Sequence, residues 1–166
     1  MKIDQFEQLY EEHAGPLLAF LVYRTGDRTL AEEVLADTFE RVLRSRKHFN
    51  PRKASAKTWV YSIALNRLRD LLRRQDAERR ALERGEAGAS EAASEAERIE
   101  DRSTVRAALS RIDELEREAV SLRYGSDLSI KEVADVLGVK VSTAEGRIYR
   151  GLRRLRELLE EFPARS

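Results

Sequence analysis

The sequence predicts an all-α fold: two small helical domains joined by a flexible acidic linker, with a helix-turn-helix as the second domain. Three observations carry this. Leu, Ala, Glu and Arg dominate, only three prolines occur, and strand-like alternation is lacking, so strong helix formers set the local structure. Residues 76–104 hold only Leu82 and Ile99 as large apolar side chains, too few to offset the entropy of ordering that stretch. Downstream, Ser129-x-x-Glu132 and Ser142-x-x-Glu145 stand thirteen residues apart with Gly138 between them, two capping boxes around a glycine turn. The length of 166 residues fits two such domains.

The elements follow in order. Asp4-x-x-Glu7 reads as a capping box opening a first helix, with Phe6, Leu9, Tyr10, Leu17, Leu18 and Leu21 inward. Pro16 lies inside that pattern and is expected to bend it. Gly26-Asp27 closes the segment, and Thr29-x-x-Glu32 is expected to start a second helix carrying Leu30, Val34, Phe39 and Val42. His48-Phe49-Asn50-Pro51 marks a turn. A third helix is expected from about Ala56 to Gln75, with Trp59, Ile63, Leu68, Leu71 and Leu72 at helical spacing. Domain boundaries are therefore placed at 1–75, 76–104 and 105–166, the linker reaching on the order of 30 Å as a coil.

In the second domain, Asp113-x-x-Glu116 caps a helix expected to run through Tyr124 to Gly125. Ser129 opens a short helix with Ile130, Val133, Ala134 and Leu137, the small Ala134 suiting close helix approach. In the helix opened by Ser142, Ala144, Ile148, Leu152 and Leu155 form the inward stripe. Ser142, Thr143, Glu145, Gly146, Arg147, Tyr149, Arg150 and Arg153 are left on or near the outward face.

Composition excludes several classes. Cysteine is absent, ruling out disulfides, thiol catalysis and Cys-based zinc sites. The two histidines, His13 and His48, leave little for metal or acid–base chemistry, so no cofactor, no metal and no enzymatic activity are expected. No apolar run approaches the ~18 residues of a membrane span and the N-terminus carries no signal-peptide core, which points to a cytoplasmic protein.

The formal net charge of +1 conceals a pattern. Residues 1–50 sum to −2, 51–75 to +6, 76–120 to −5 and 121–166 to +2. Two basic segments separated by an acidic one suggest two contacts with polyanions; solvated helix faces are the alternative. On the last helix, Ser142, Thr143, Glu145 and Arg147 occupy the first turns, where a recognition helix reads base edges, while arginines further along suit phosphates. Glu145 fits either cytosine N4 or its capping role. The first patch is different in kind. Arg52, Lys53 and Lys57 are followed by Trp59 and Tyr61, then by Asn66, Arg67, Arg69, Arg73 and Arg74. A basic loop with aromatics suits unpaired bases, although the Trp59 ring is equally compatible with a core position.

These segments resemble a bacterial extracytoplasmic-function (ECF) RNA polymerase sigma factor. Leu30-Ala-Glu-Glu-Val-Leu-Ala-Asp-Thr-Phe39 is similar to the family's core-polymerase-binding helix. Ser55-Ala-Lys-Thr-Trp-Val-Tyr-Ser-Ile-Ala-Leu-Asn-Arg-Leu-Arg-Asp-Leu-Leu-Arg-Arg74 is similar to its −10 promoter segment. Leu128-Ser-Ile-Lys-Glu-Val-Ala-Asp-Val-Leu-Gly138, with Ser142-Thr143 and Arg147-Ile-Tyr-Arg150, resembles its −35-reading helix-turn-helix. The resemblance implies binding to the polymerase clamp helices and flap, with Glu33, Asp37, Phe39, Glu40 and Arg41 as the core-polymerase set. It implies contact with opened −10 DNA through Phe49, Asn50, Arg52, Lys53, Lys57, Trp59, Asn66, Arg67, Arg73 and Arg74. It implies duplex −35 contact through Ser142, Thr143, Glu145, Arg147, Tyr149, Arg150 and Arg153, and an anti-sigma factor as a further partner. Leu65 stands where the family usually has arginine. The competing class is a dimeric helix-turn-helix regulator that binds duplex DNA without polymerase.

Overall fold

The computed structural model describes residues 1–85 and 104–161. Helices α1 (Ile3–Thr25), α2 (Arg28–Ser45) and α3 (Ala56–Glu83) form the first unit; a 3₁₀ turn, Arg46–His48, follows α2. Helices α4 (Thr104–Ser110), α5 (Glu114–Val120), α6 (Ile130–Leu137) and α7 (Val141–Glu161) form the second, with a π turn at Ser121–Gly125. No strand occurs among the described residues.

Local chemistry sets most of the boundaries. Ser55 caps α3, its side chain accepting from the Thr58 amide at 3.0 Å, and Asp113 caps α5 by accepting from the Leu115 amide at 3.1 Å. The Ser129–Glu132 box is reciprocal: the Glu132 amide donates to Ser129 Oγ at 3.2 Å, and the Ser129 amide to Glu132 at 2.8 Å, satisfying two otherwise orphaned donors. Gly138 ends α6 in the left-handed conformation, φ +66°, where glycine carries no Cβ penalty.

Four boundaries differ from the sequence reading. The first helix begins at Ile3, and Gln5, not Glu7, reaches back to accept from the Lys2 amide at 2.8 Å. The cap of α2 is Asp27, which accepts from the Leu30 amide at 3.1 Å, so Thr29 lies inside the helix. Helix α7 starts at Val141, which places Ser142 and Glu145 within the helix, the Lys140 carbonyl accepting its first backbone bonds from Thr143 and Ala144. Helix α3 continues to Glu83, past the expected end at Gln75. Apart from Asp76, its added turns are Ala, Glu, Arg and Leu, residues whose helix propensity is high even without a core to face. The rest of the expected linker, 86–103, lies outside the described residues.

The interior is continuous between the units. One buried cluster holds Leu17, Phe20, Leu21, Tyr61, Leu65 and Leu68 from the first unit together with Ala119, Leu122, Leu128, Val133 and Ala134 from the second. Leu65, at the position where an arginine contact would be expected, is 1% exposed and serves this core. A smaller cluster joins Ala108, Leu109, Ile112, Val120, Leu155 and Leu158 within the second unit. Close approach of α5 and α7 depends on Gly151, which is buried: a Cβ there would lie 2.7 Å from Val120 Cγ2.

Candidate nucleic-acid interface

The +6 segment folds into the 3₁₀ turn's exit loop and the larger, N-terminal part of α3. Phe49 and Trp59 bring their rings together at 4.9 Å, tilted by 36°. Trp59 is half-buried, so it belongs both to the edge of the core and to a surface. That surface is an open groove of about 510 Å³ lined by Arg41, Arg44, Ser45, His48, Trp59, Ile63 and Asn66. Positions 41, 44, 45 and 48 are spaced three and four apart, the periodicity of one helix face. The groove therefore unites Arg41, from the polymerase set, with Trp59 and Asn66, from the −10 set. Arg44 and His48 were not selected from sequence, although the same spacing from Arg41 was available to find them. Chemically, the groove offers an aromatic wall, a side-chain amide and two guanidinium groups, which suits a planar base attached to a phosphate.

The remaining residues of this set divide by environment. Asn50, Arg52 and Lys53 are exposed on the loop, and Asn50 Oδ1 accepts from the Arg52 amide at 2.9 Å, an Asx turn that fixes the loop's path. Arg73 and Arg74 are exposed further along α3, ~12 Å beyond Asn66 at 1.5 Å per residue, and Arg73 is bonded to Asp70. Arg67 is tied inside the protein, donating to Asp37 at 2.7 Å with 15% of its side chain exposed. Asp37 and Arg67 came from different sets, and the structure joins them as a brace between α2 and α3. Glu33, Glu40 and Arg41 are exposed on α2. Phe39 is 5% exposed and packs edge-on against Phe6 and Tyr10, supporting the α2 face from beneath.

On α7 the outward face is a protruding helix surface. Ser142, Glu145, Tyr149, Arg150 and Arg153 are exposed, Thr143 and Arg147 half-buried. Tyr149 is the most open aromatic among the described residues, at 68%. Two arginines carry internal partners: Arg150 with Glu116 at 3.4 Å and Arg153 with Glu157 at 3.7 Å. Among the described residues Arg147 has no ion-pair partner, so its guanidinium is available to a ligand without a competing carboxylate.

Electrostatics tie the two surfaces together. Lys57, on α3, lies 3.4 Å from Glu132, on α6. Burial opposes the charged form of Glu132, but the Ser129 amide and Lys57 outweigh it and hold the carboxyl below its ordinary range. Nearby, burial pushes the Tyr61 hydroxyl up to about 12, with Ser126 working the other way.

Comparison with known proteins matches the two helical units separately. The Sigma-70 region 2 family matches residues 9–78 and the Sigma-70, region 4 family matches residues 102–155. The chain is 33% identical over 160 residues to the RNA polymerase sigma factor CarQ of Myxococcus xanthus, covering 96% of this chain and 91% of that protein. It is 29% identical to the ECF RNA polymerase sigma factor RpoE of Cereibacter sphaeroides, over 92% of this chain and 84% of the relative. Among solved structures, CnrH in complex with the cytosolic domain of CnrY is similar at 26% identity and a TM-score of 0.73, covering 98% of this chain and 92% of that one. The sigma factor RpoE in complex with the anti-sigma factor NepR from Bartonella quintana shares the fold at 22% identity, with a TM-score of 0.76, over 96% of this chain and 99% of that one. With two family regions in order and a relative matched almost end to end, the chain belongs to the ECF RNA polymerase sigma factors, the promoter-recognition subunits of transcription initiation.

Proposed function

We propose that this sigma factor binds core polymerase through the exposed face of α2 and reads its promoter with two separate surfaces, one for opened strand and one for duplex. The observation that carries this reading is the groove of Arg41, Arg44, His48, Trp59 and Asn66, on the same molecule as a helix-turn-helix with an unengaged Arg147. Glu33, Asp37, Glu40 and Arg41 form the face offered to the polymerase clamp helices, with Phe39 holding it in place. The groove takes an unpaired base of the −10 element, Trp59 and Phe49 supplying stacking surface and Asn66 hydrogen bonds. Arg52, Lys53, Arg73 and Arg74 hold the flanking phosphates, and Arg67 acts by bracing α3.

Stacking and phosphate contacts offset part of the few kcal/mol lost for each base taken out of the duplex, which is how a protein without catalytic groups promotes strand opening. The second unit lays the start of α7 in the −35 major groove. Ser142, Thr143, Glu145 and Arg147 face base edges, while Tyr149, Arg150 and Arg153 approach the backbone. We place its work in the cytoplasm, on the nucleoid, with residues 1–75 and 105–166 as the two working units and the region 4-like unit also meeting the polymerase flap. Because similar proteins are solved with inhibitory partners, an anti-sigma factor is proposed as a regulator.

The test is direct. Purified protein added to bacterial core polymerase on genomic template should give transcripts with defined 5′ ends, preceded by two motifs at fixed spacing. Absence of any start-specific transcript would contradict the proposal.

A further inference from the structure

Helix α7 presents its outward face as two adjoining lines of side chains. Ser142, Glu145, Tyr149 and Arg153, spaced three and four apart, share one line, and all four are exposed. Thr143 and Arg147, on the neighbouring line, are half-buried. Glu145 thus stands on the most projecting edge of the helix, one turn from its start at Val141. A capping duty would account for a glutamate there, but the cap lies at Lys140, whose carbonyl accepts from the Thr143 and Ala144 amides at 3.0 and 3.1 Å. Among the described residues Glu145 has no ion pair and no side-chain hydrogen bond. The Arg150 guanidinium turns back over Gly146, where a Cβ would meet its Nη1 at 3.0 Å, yet its carboxylate partner is Glu116. An unpaired carboxylate is left on the face proposed to approach DNA.

Toward DNA such a group is costly unless it finds a donor. Phosphates repel it, and an ionised carboxylate can only accept hydrogen bonds. In the major groove the exposed donors are the amino groups of cytosine and adenine. Guanine offers the acceptors N7 and O6, and thymine offers O4 and a methyl group. Adenine sets its N6 amino group beside the acceptor N7, which meets the second carboxylate oxygen with like polarity. Cytosine presents its N4 donor with no acceptor of its own beside it. The residue type therefore selects one letter of four.

We infer that Glu145 is a specificity-determining residue of the −35 contact, accepting from cytosine N4 and fixing a C·G pair at the position it faces. The inference rests on the duplex reading of α7 proposed above and adds to it the letter this side chain requires. Guanine or thymine in that place sets acceptor against carboxylate, and adenine satisfies only half of it. Because the carboxylate weakens binding to every other sequence, it works by rejection as much as by attraction. Arg147, donor-only and on the adjoining line, has the opposite polarity, so the two lines select different base edges.

The test uses the full chain bound to core polymerase and a promoter library randomised across the −35 element, with transcript 5′ ends read by sequencing. Wild type should require cytosine in one column, the other three letters there lowering yield about fivefold or more, the scale of one base contact. Glu145→Ala, at an exposed position, should keep its melting temperature and its other columns. All four letters in the cytosine column should then come within about twofold of one another. Glu145→Gln should move the preference to adenine, whose N6 and N7 match the acceptor and donor of an amide. The inference is overturned by a wild type with defined starts but no cytosine column, or by a cytosine column that either variant leaves unchanged. Loss of every transcript by a normally folded Glu145→Ala overturns it as well. A wild type that gives no start-specific transcript overturns the promoter reading itself, so defined 5′ ends tell the two failures apart.

Discussion

The α2–α3 groove and the outward face of α7 are both basic and both proposed to meet the same promoter, yet they are built oppositely. The groove is concave, walled by Trp59 with its ring against Phe49, and it gathers Arg41 and Arg44 from α2, His48 from the 3₁₀ turn and Asn66 from α3. The α7 face is convex and comes from a single helix, with Tyr149 projecting. An unpaired base needs a cavity with a flat wall, while a duplex groove needs a ridge to enter it. Shape, more than charge, therefore separates the two tasks. The charge pattern differs as well: on α7, Arg150 and Arg153 are held by Glu116 and Glu157, whereas Arg147 has no ion-pair partner among the described residues.

The largest expected effect comes from removing the wall of the groove. Trp59→Ala should lower strand opening, read by permanganate reactivity of −10 thymines, by about 5- to 150-fold, the equivalent of ~1–3 kcal/mol for one lost stacking platform. Duplex −35 binding by the same holoenzyme should be unchanged; equal loss at both elements would erase the distinction between the surfaces. On the α7 side, Gly151→Ala forces a methyl against Val120 and should cost about 1–3 kcal/mol of stability by overpacking, seen as a lower melting temperature. It should weaken −35 contact before −10 contact.

Arg147→Ala should cost ~1–3 kcal/mol of discrimination at one base pair, measured by competition among −35 variants. Arg150→Ala should cost less, since Glu116 already competes for that guanidinium, and should mainly flatten the salt dependence. Smallest is a pH effect at the contact between the units. Glu132 has a lowered folded-state pKa, so its contribution is full above the ordinary carboxylate value and is lost as pH falls through the lowered one. Thermal stability should thus be flat with respect to this group near neutrality and decline only in that acidic range, and a decline starting near neutral pH would implicate another group.

What could be read from sequence was what neighbours along the chain decide. The Ser129–Glu132 box, the Asp113 cap and the inward Ala144–Ile148–Leu155 stripe all depend on residues within a few turns. Capping misled where two candidates stood close together: Asp27 precedes Thr29 and captures the Leu30 amide first. The end of α3 lies past the expected Gln75 because Arg, Glu and Ala sustain helix without a core, where low hydrophobicity pointed to a linker. Gly151 was not picked out as buried, since only the approach of α5 reveals why a side chain is excluded there. Least legible was the docking of the two units. Arg69 and Glu118 are 49 residues apart and Arg24 and Glu114 are 90 apart, and no local pattern distinguishes these arginines from the surface ones around them. The groove was half-legible, its α3 wall from the Trp59–Asn66 pattern and its α2 wall only once Arg41 and Arg44 faced it.

Neither DNA surface is proposed to suffice alone; core polymerase joins them. This is tested most directly by measuring affinity for one mapped promoter fragment, at fixed salt, with the free chain and with the same chain bound to core polymerase. The free chain should bind the promoter no more tightly than scrambled duplex, while the holoenzyme should bind it at least ~10³-fold more tightly than scrambled duplex, the lower end of specific recognition. Tight, sequence-specific binding by the free chain, above all as a dimer on a palindrome with half-sites ~34 Å apart, would contradict it.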